Sequence, residues 1–191
     1  MNTESINISI IFYSMYGHVY QMAEAVAEGS NSLADTDATI YQVPELVPED
    51  VLKDSGAWEA KQSFDHIAEA TPEVLENSDA VIFGTPTYLG NFSWQMKAFL
   101  DKGLKVKLAG KLGAVFATEK YLGGGADFAL MTMIGHLLVK GMLVYSAGVS
   151  HGDPYTHFGA VCIQDGDEKQ QERARLFGER IAKKVVDIYY K

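Results

Sequence analysis

Ser14-Met15-Tyr16-Gly17-His18-Val19 follows an apolar, isoleucine-rich run, Ile6 to Tyr13, and opens directly into a helical repeat at Val19, Met22, Ala23 and Val26. A helix that begins there leaves its first amides without internal partners and turns the positive end of its dipole toward the loop, where an anion can be held. Ser14 adds a hydroxyl, and Gly17 permits the tight turn that lets backbone approach a phosphate. The spacing is too short for GxGxxG, and GxxxxGK[ST] is absent, so a phosphomonoester is favoured over a dinucleotide pyrophosphate or a nucleoside triphosphate. An ordinary strand-to-helix turn uses the same residue types, and the loop gains its meaning from its neighbours.

Two further loops follow apolar runs. Gly84-Thr85-Pro86-Thr87-Tyr88-Leu89-Gly90-Asn91-Phe92 is stiffened by glycine and proline and offers hydroxyl, amide and backbone groups to the edge of a heterocycle, with Tyr88 able to cover a ring face. Thr118-Glu119-Lys120-Tyr121-Leu122-Gly123-Gly124-Gly125 lets backbone come close to a ligand at the glycines, and Tyr121 is a second stacking candidate. A phosphate loop beside two heterocycle-facing loops fits FMN. The stretch Ser146 to Gly166, with His151, Gly152, Asp153, Pro154, Tyr155, His157 and Phe158, reads as an irregular rim. Its two histidines have no third ligand at helical or strand spacing, so no metal is expected.

The elements that must position these loops are legible as periodicity. Ile6 to Tyr13 is apolar and rich in isoleucine, and Ala80 to Gly84, Gly113 to Ala117 and Met142 to Tyr145 are short and continuously apolar, as parallel strands covered on both faces must be. Ala38 to Val43 is a weaker strand candidate. Helical patterns occupy Ser93 to Leu100, Ala126 to Lys140 and Glu168 to Tyr190. Five strands alternating with helices predict an α/β fold, a doubly wound parallel sheet of order 2-1-3-4-5 with helices on both faces and ligands at the carboxyl ends of the strands. The connection Pro44 to Thr71 is long, and Trp58, Phe64 and Ile67 within it need cover from the domain itself or from another subunit. Thr71-Pro72-Glu73 is a helix start.

With 191 residues the chain is expected to form a single domain spanning 1-191. Lys and Arg total 16 against 25 Asp and Glu, and the net charge of -9 disfavours nucleic acid and anionic lipid. Cys162 is the single cysteine, which excludes an internal disulfide or a thiolate cluster and fits a cytoplasmic protein. No apolar stretch approaches the roughly 18 residues of a membrane span, and no secretory leader is read.

The combination resembles the WrbA-type NAD(P)H:quinone oxidoreductases of the flavodoxin superfamily. The resemblance is carried by Tyr13-Ser14-Met15-Tyr16-Gly17-His18, Met22 to Gly29, Val43-Pro44-Glu45, Phe83-Gly84-Thr85-Pro86-Thr87, Gly90-Asn91, Gln95-Met96 and Gly123-Gly124-Gly125. It implies a flavodoxin-like fold and an FMN enzyme with the phosphate in the Ser14 to Val19 loop. The ring would meet Pro86, Thr87, Tyr88, Leu89, Gly90 and Asn91, and Thr118, Glu119, Lys120, Tyr121, Gly123 and Gly124 would complete the site. The resemblance also implies ping-pong chemistry, in which NAD(P)H passes a hydride to flavin N5 and a quinone then takes two electrons. Tyr16 and Tyr88 would stand on the substrate side, and the protein would be a homodimer or homotetramer.

This chain departs from the family pattern at Tyr88, where arginine is usual, and in the segment after Asp101, which is shorter and lacks a tryptophan. It departs again at Lys140, where a histidine is common and where His136 lies about one helical turn earlier. A one-electron carrier of flavodoxin type, or a flavin-dependent sensor that binds a partner, would also accommodate the FMN loops.

Overall fold

The computed structural model describes residues 5–149 and 156–190; His151 to Tyr155 of the expected rim lie outside the described residues. Strand β1 (Ile6–Phe12) runs parallel to β2 (Thr36–Gln42) on one side and to β3 (Ala80–Tyr88) on the other. Helix α1 (His18–Ser30) makes the first crossover. The connection after β2 carries two short helices, α2 (Glu49–Asp54) and α3 (Trp58–Gln62), and ends in α4 (Pro72–Glu76). Thr71 caps α4 by accepting the Val74 amide, as its sequence predicts. A two-residue strand β4 (Asn91–Phe92) folds back on β3, and α5 (Trp94–Lys102) leads to β5 (Leu112–Glu119), which lies parallel to β3. Helix α6 (Ala126–Val139) is followed by β6 (Leu143–Val144), β7 (Ala160–Ile163) and α7 (Glu168–Tyr189).

The order β2-β1-β3-β5-β6 is the expected 2-1-3-4-5 arrangement. The fifth position, however, is shared by two strands. β6 pairs only with Leu112 and Gly113 at the start of β5, and β7 pairs with Phe116 to Glu119 at its end, both in parallel. Ser146 to Gly166 is therefore not wholly irregular, because β6 is too short to satisfy the buried backbone of the whole of β5 and a second strand takes its place. The run Ala160 to Ile163 is too brief to stand out by periodicity. Gly159 leads into it, and a Cβ there would lie 2.0 Å from the Val115 carbonyl oxygen.

Successive residues of β1 serve opposite faces, which explains why Ile10, Ile11 and Phe12 are consecutive apolar residues. Ile8, Ile10 and Phe12 enter a core shared with Val19, Met22 and Val26 of α1 and Phe177, Ile181 and Val185 of α7. Ile11 and Tyr13 enter the other core, with Met96 and Phe99 of α5 and Leu130, Met133 and Leu137 of α6. Phe64 of the long connection is covered by its own domain, with its ring 5.7 Å from Phe12 and 5.1 Å from Tyr20.

α1 and α7 cross in backbone contact. A Cβ on Gly29 would lie 1.8 Å from the Arg175 carbonyl oxygen, and one on Gly178 would lie 2.1 Å from that of Val26. Both obstacles are backbone, so neither helix can yield locally. Gly178→Ala is expected to destabilise the protein by about 1–3 kcal/mol, the usual cost of overpacking, despite the better helix propensity of alanine. Urea unfolding followed by circular dichroism measures it, and an unchanged midpoint would contradict the contact.

Candidate flavin site

Because β1, β3 and β5 are parallel, the loops that follow them meet at one edge of the sheet, beside the place where strand order reverses between β1 and β3. Ser14 leaves β1 fully buried, and its Oγ has no hydrogen-bond partner. Gly17 is the N-cap of α1 at φ +89°, with no side chain capping the helix and no acidic residue in its first turn. Asp167, Ser93 and Thr71 cap α7, α5 and α4 with side-chain oxygens, whereas α1, like α2, α3 and α6, has no N-cap side chain. The first amides of α1 are thus left without a side-chain acceptor, in the loop that also carries the orphan Ser14 hydroxyl, and an anion is a suitable partner for both.

His18 begins α1, and its Nδ1 lies 2.5 Å from Asp165 Oδ1, tying this loop to the turn after β7. Met15 packs against the second core, and the buried Val19 side chain belongs to the first, so Val19 can offer a ligand only its backbone. Tyr16 is exposed.

At the end of β3, Thr85 Oγ1 accepts the Ser93 amide at 3.0 Å, while the buried Thr87 Oγ1 has no partner. Ser14 and Thr87 thus leave two buried unpaired hydroxyls at neighbouring strand ends. Each costs about 1–3 kcal/mol unless something outside the chain completes it. Pro86 precedes a tight hairpin in which Tyr88 pairs with Asn91. Leu89 and Gly90 form its tip, at φ +51° and +71°. Leu89 is fully exposed and holds a left-handed conformation that leucine disfavours. Burial, together with Tyr16 and the Glu45 charge, pushes the Tyr88 phenol up to about 12, so it stays protonated and able to donate.

The third loop differs from expectation in its first residues. Thr118 and Glu119 are not loop residues but the last two of β5, paired with Cys162 and Ile163 of β7. Glu119 Oε2 accepts the Ala126 amide at the start of α6 and so braces the glycine loop. Lys120 and Tyr121 project outward beside exposed Gly123. Lys120 holds its place through a backbone bond from Gln164 Nε2. Gly124 closes a turn with the Tyr121 carbonyl. Gly125 at φ +96° lies against Gly90, where an added Cβ would come within 3.2 Å of the Gly90 Cα. The hairpin and the glycine loop therefore touch through their glycines and enclose one side of the site.

Lys140 and His136 do not reach this edge. They lie at the far end of α6, where Lys140 Nζ donates to the Gly103 and Leu104 carbonyls. Burial and the neighbouring Lys97 lower the affinity of His136 for a proton.

Behind Tyr16 and Tyr88 lies a polar cluster whose members are far apart in the sequence. Tyr13 OH donates to Glu45 Oε2 at 3.1 Å and accepts from Gln95 Nε2 at 2.6 Å, and Lys61 pairs with the same carboxylate. Tyr13, Glu45 and Gln95 all stand in the stretches that carry the family resemblance. Lys61 has no such signal, since a lysine in a polar segment reads as solvated.

A family model described as NADPH-dependent FMN reductase matches residues 14–153. Among curated relatives, a protein named flavodoxin from Clostridium saccharobutylicum is 47% identical over 184 residues, covering 96% of this chain and all of that protein. An NAD(P)H dehydrogenase (quinone) from Aromatoleum aromaticum is 40% identical over 201 residues, covering 93% and 94%. Among solved structures, a flavodoxin, WrbA-like protein from Agrobacterium tumefaciens superposes with a TM-score of 0.69 at 29% identity, covering 96% of this chain and 99% of that one. With the flavodoxin-like sheet and a loop geometry that centres on the open end of α1, these matches place the chain in the NADPH-dependent FMN reductase family.

Proposed function

We propose that this chain works as a single domain that holds FMN and moves two electrons from NAD(P)H to a quinone-like acceptor. The observation that carries the reading is the pair of buried, unpartnered hydroxyls, Ser14 and Thr87, at the strand ends beside the uncapped end of α1. A phosphomonoester satisfies the first, and a heterocycle with hydrogen-bonding edges satisfies the second. FMN when bound supplies hydride and electron chemistry, leaving binding, orientation and access to the protein.

In this reading Ser14 Oγ and the amides of Gly17, His18 and Val19 hold the phosphate, with Met15 and Tyr16 shaping the loop around it. Pro86, Thr87, Leu89, Gly90 and Asn91 present backbone and hydroxyl groups to the ring, with Lys120, Tyr121, Gly123 and Gly124 closing the remaining side. Thr118 and Glu119 act from within β5 by bracing that loop. Tyr16 and Tyr88 border the substrate side, where the protonated Tyr88 phenol can donate to a quinone oxygen. Relatives named NAD(P)H dehydrogenase (quinone), about 40% identical over nearly the whole chain, support this reaction.

A second reading, a one-electron carrier, is favoured by the 47% identical relative named flavodoxin. Anaerobic stopped-flow absorbance of the FMN-loaded protein separates the two. Rapid bleaching by NADH or NADPH and recovery on adding benzoquinone is expected for the reductase. No reduction by either nucleotide, with dithionite reduction in two separated one-electron steps, would establish the carrier.

We place a second copy of the chain on α6 and read the protein as a homodimer or homotetramer. The helix is apolar around most of its circumference, and Phe128, Met131, Leu138 and Val139 are exposed. No helix among the described residues is long and apolar enough to cross a membrane, and a cytoplasmic site of action fits the single cysteine.

Ser14→Ala is expected to weaken FMN binding about tenfold, read by quenching of flavin fluorescence. The apoprotein should be no less stable, because an unsatisfied buried hydroxyl is removed. A loss of apoprotein stability with unchanged affinity would show that Ser14 serves the fold. Leu138→Asp should lower the mass in sedimentation equilibrium, and an unchanged mass would remove α6 from the interface.

A further inference from the structure

Glu45 sits where three chain segments converge. Its carboxylate accepts the Leu46 and Val47 amides, each at 2.9 Å, the Tyr13 hydroxyl and the Lys61 ammonium. Tyr13 immediately precedes the Ser14 loop. Gln95, which donates to Tyr13 OH, stands in the first turn of α5, just after the Tyr88 hairpin. Lys61 and Glu45 belong to the connection between β2 and α4. Tyr13 and Gln95 are almost completely buried, and Lys61 is only 9% exposed, with its ammonium 4.3 Å from the centre of the Tyr13 ring. Burial raises the proton affinity of the Glu45 carboxyl, but the Lys61 bond and the two amides outweigh it and hold the group below the usual carboxylate range.

The Lys61 side chain is 10% and that of Glu45 22% exposed; an ion pair so largely removed from water adds little net stability compared with apolar residues of similar volume, but its geometry is demanding. Its use here therefore calls for a role in placement. We propose that the Lys61–Glu45 pair, acting through Tyr13 and Gln95, sets the spacing between the Ser14 loop and the Tyr88 hairpin, and that FMN affinity depends on that spacing. These four are positioning residues; none is assigned a contact with the cofactor. The inference rests on the FMN reading above.

The test uses the full chain stripped of flavin and reconstituted with FMN. In the double variant Lys61→Met with Glu45→Leu, an apolar pair replaces the ion pair, and the apoprotein melting temperature should stay near that of the wild type. FMN should nonetheless bind at least tenfold more weakly, and the visible circular dichroism of the bound flavin should change. Tyr13→Phe removes a single oxygen, keeps the ring under Lys61, and should weaken binding in the same direction; it decides the matter if the double variant does not fold. FMN affinity within twofold of wild type in the variants that fold, whatever their melting temperature, would overturn the proposal. If wild-type apoprotein bound no FMN, the flavin reading itself would fall and this proposal with it.

Discussion

The parallel sheet, covered on both faces, is the constraint on which the rest of the molecule depends. Each inner strand must place alternate side chains in two cores, so β1 sends Ile8, Ile10 and Phe12 to one and Ile11 to the other, where Tyr13 just beyond the strand joins it. Parallel strands cannot be joined by hairpins, so α1 and α6 serve as crossovers and the loops after β1, β3 and β5 emerge at the same edge. The convergence of the Ser14, Tyr88 and glycine loops follows from strand direction, before any contact between them is considered.

Rigidity at that edge comes from backbone held close to backbone. Gly29 and Gly178 bring α1 and α7 into contact, which fixes the axis of the helix whose open end faces the site. Gly125 against Gly90 locks the hairpin to the glycine loop. Glu119, at the end of β5, braces the same loop through the Ala126 amide. The His18 bond to Asp165 ties the start of α1 to the turn after β7. A loop framed in this way can leave Ser14 and Thr87 unpaired, because the surrounding structure tolerates a local cost of a few kcal/mol at a site of function.

The long connection between β2 and α4 links the fold to the site. Phe64 packs on Phe12 and Tyr20 and anchors the segment in the first core. From the same segment Glu45 accepts the Tyr13 hydroxyl, and Lys61 pairs with that carboxylate over the Tyr13 ring. An insertion of this length persists in a compact domain when it packs or serves a function. This one packs through its aromatics and brings charge behind Tyr16 and Tyr88.

Fold class, strand order and the three loops are legible in the residues alone. Those properties are written in local patterns: continuous apolar runs, helical repeats, Gly17 before a helix start, and the Gly-Thr-Pro-Thr and triple-glycine stretches. The family likeness was legible for the same reason, since it resides in contiguous residues. Strand pairing is what reveals that β6 and β7 divide the fifth position, because a four-residue strand declares itself only by the edge it covers. It also moved Thr118 and Glu119 from loop to strand, since strand ends depend on pairing and not on composition. Lys61 shows the limit most plainly. Its charge predicts solvent, and only the arrival of Glu45 and Tyr13, distant in sequence, beside the nearby Phe64 can bury it and make an interior cation tolerable.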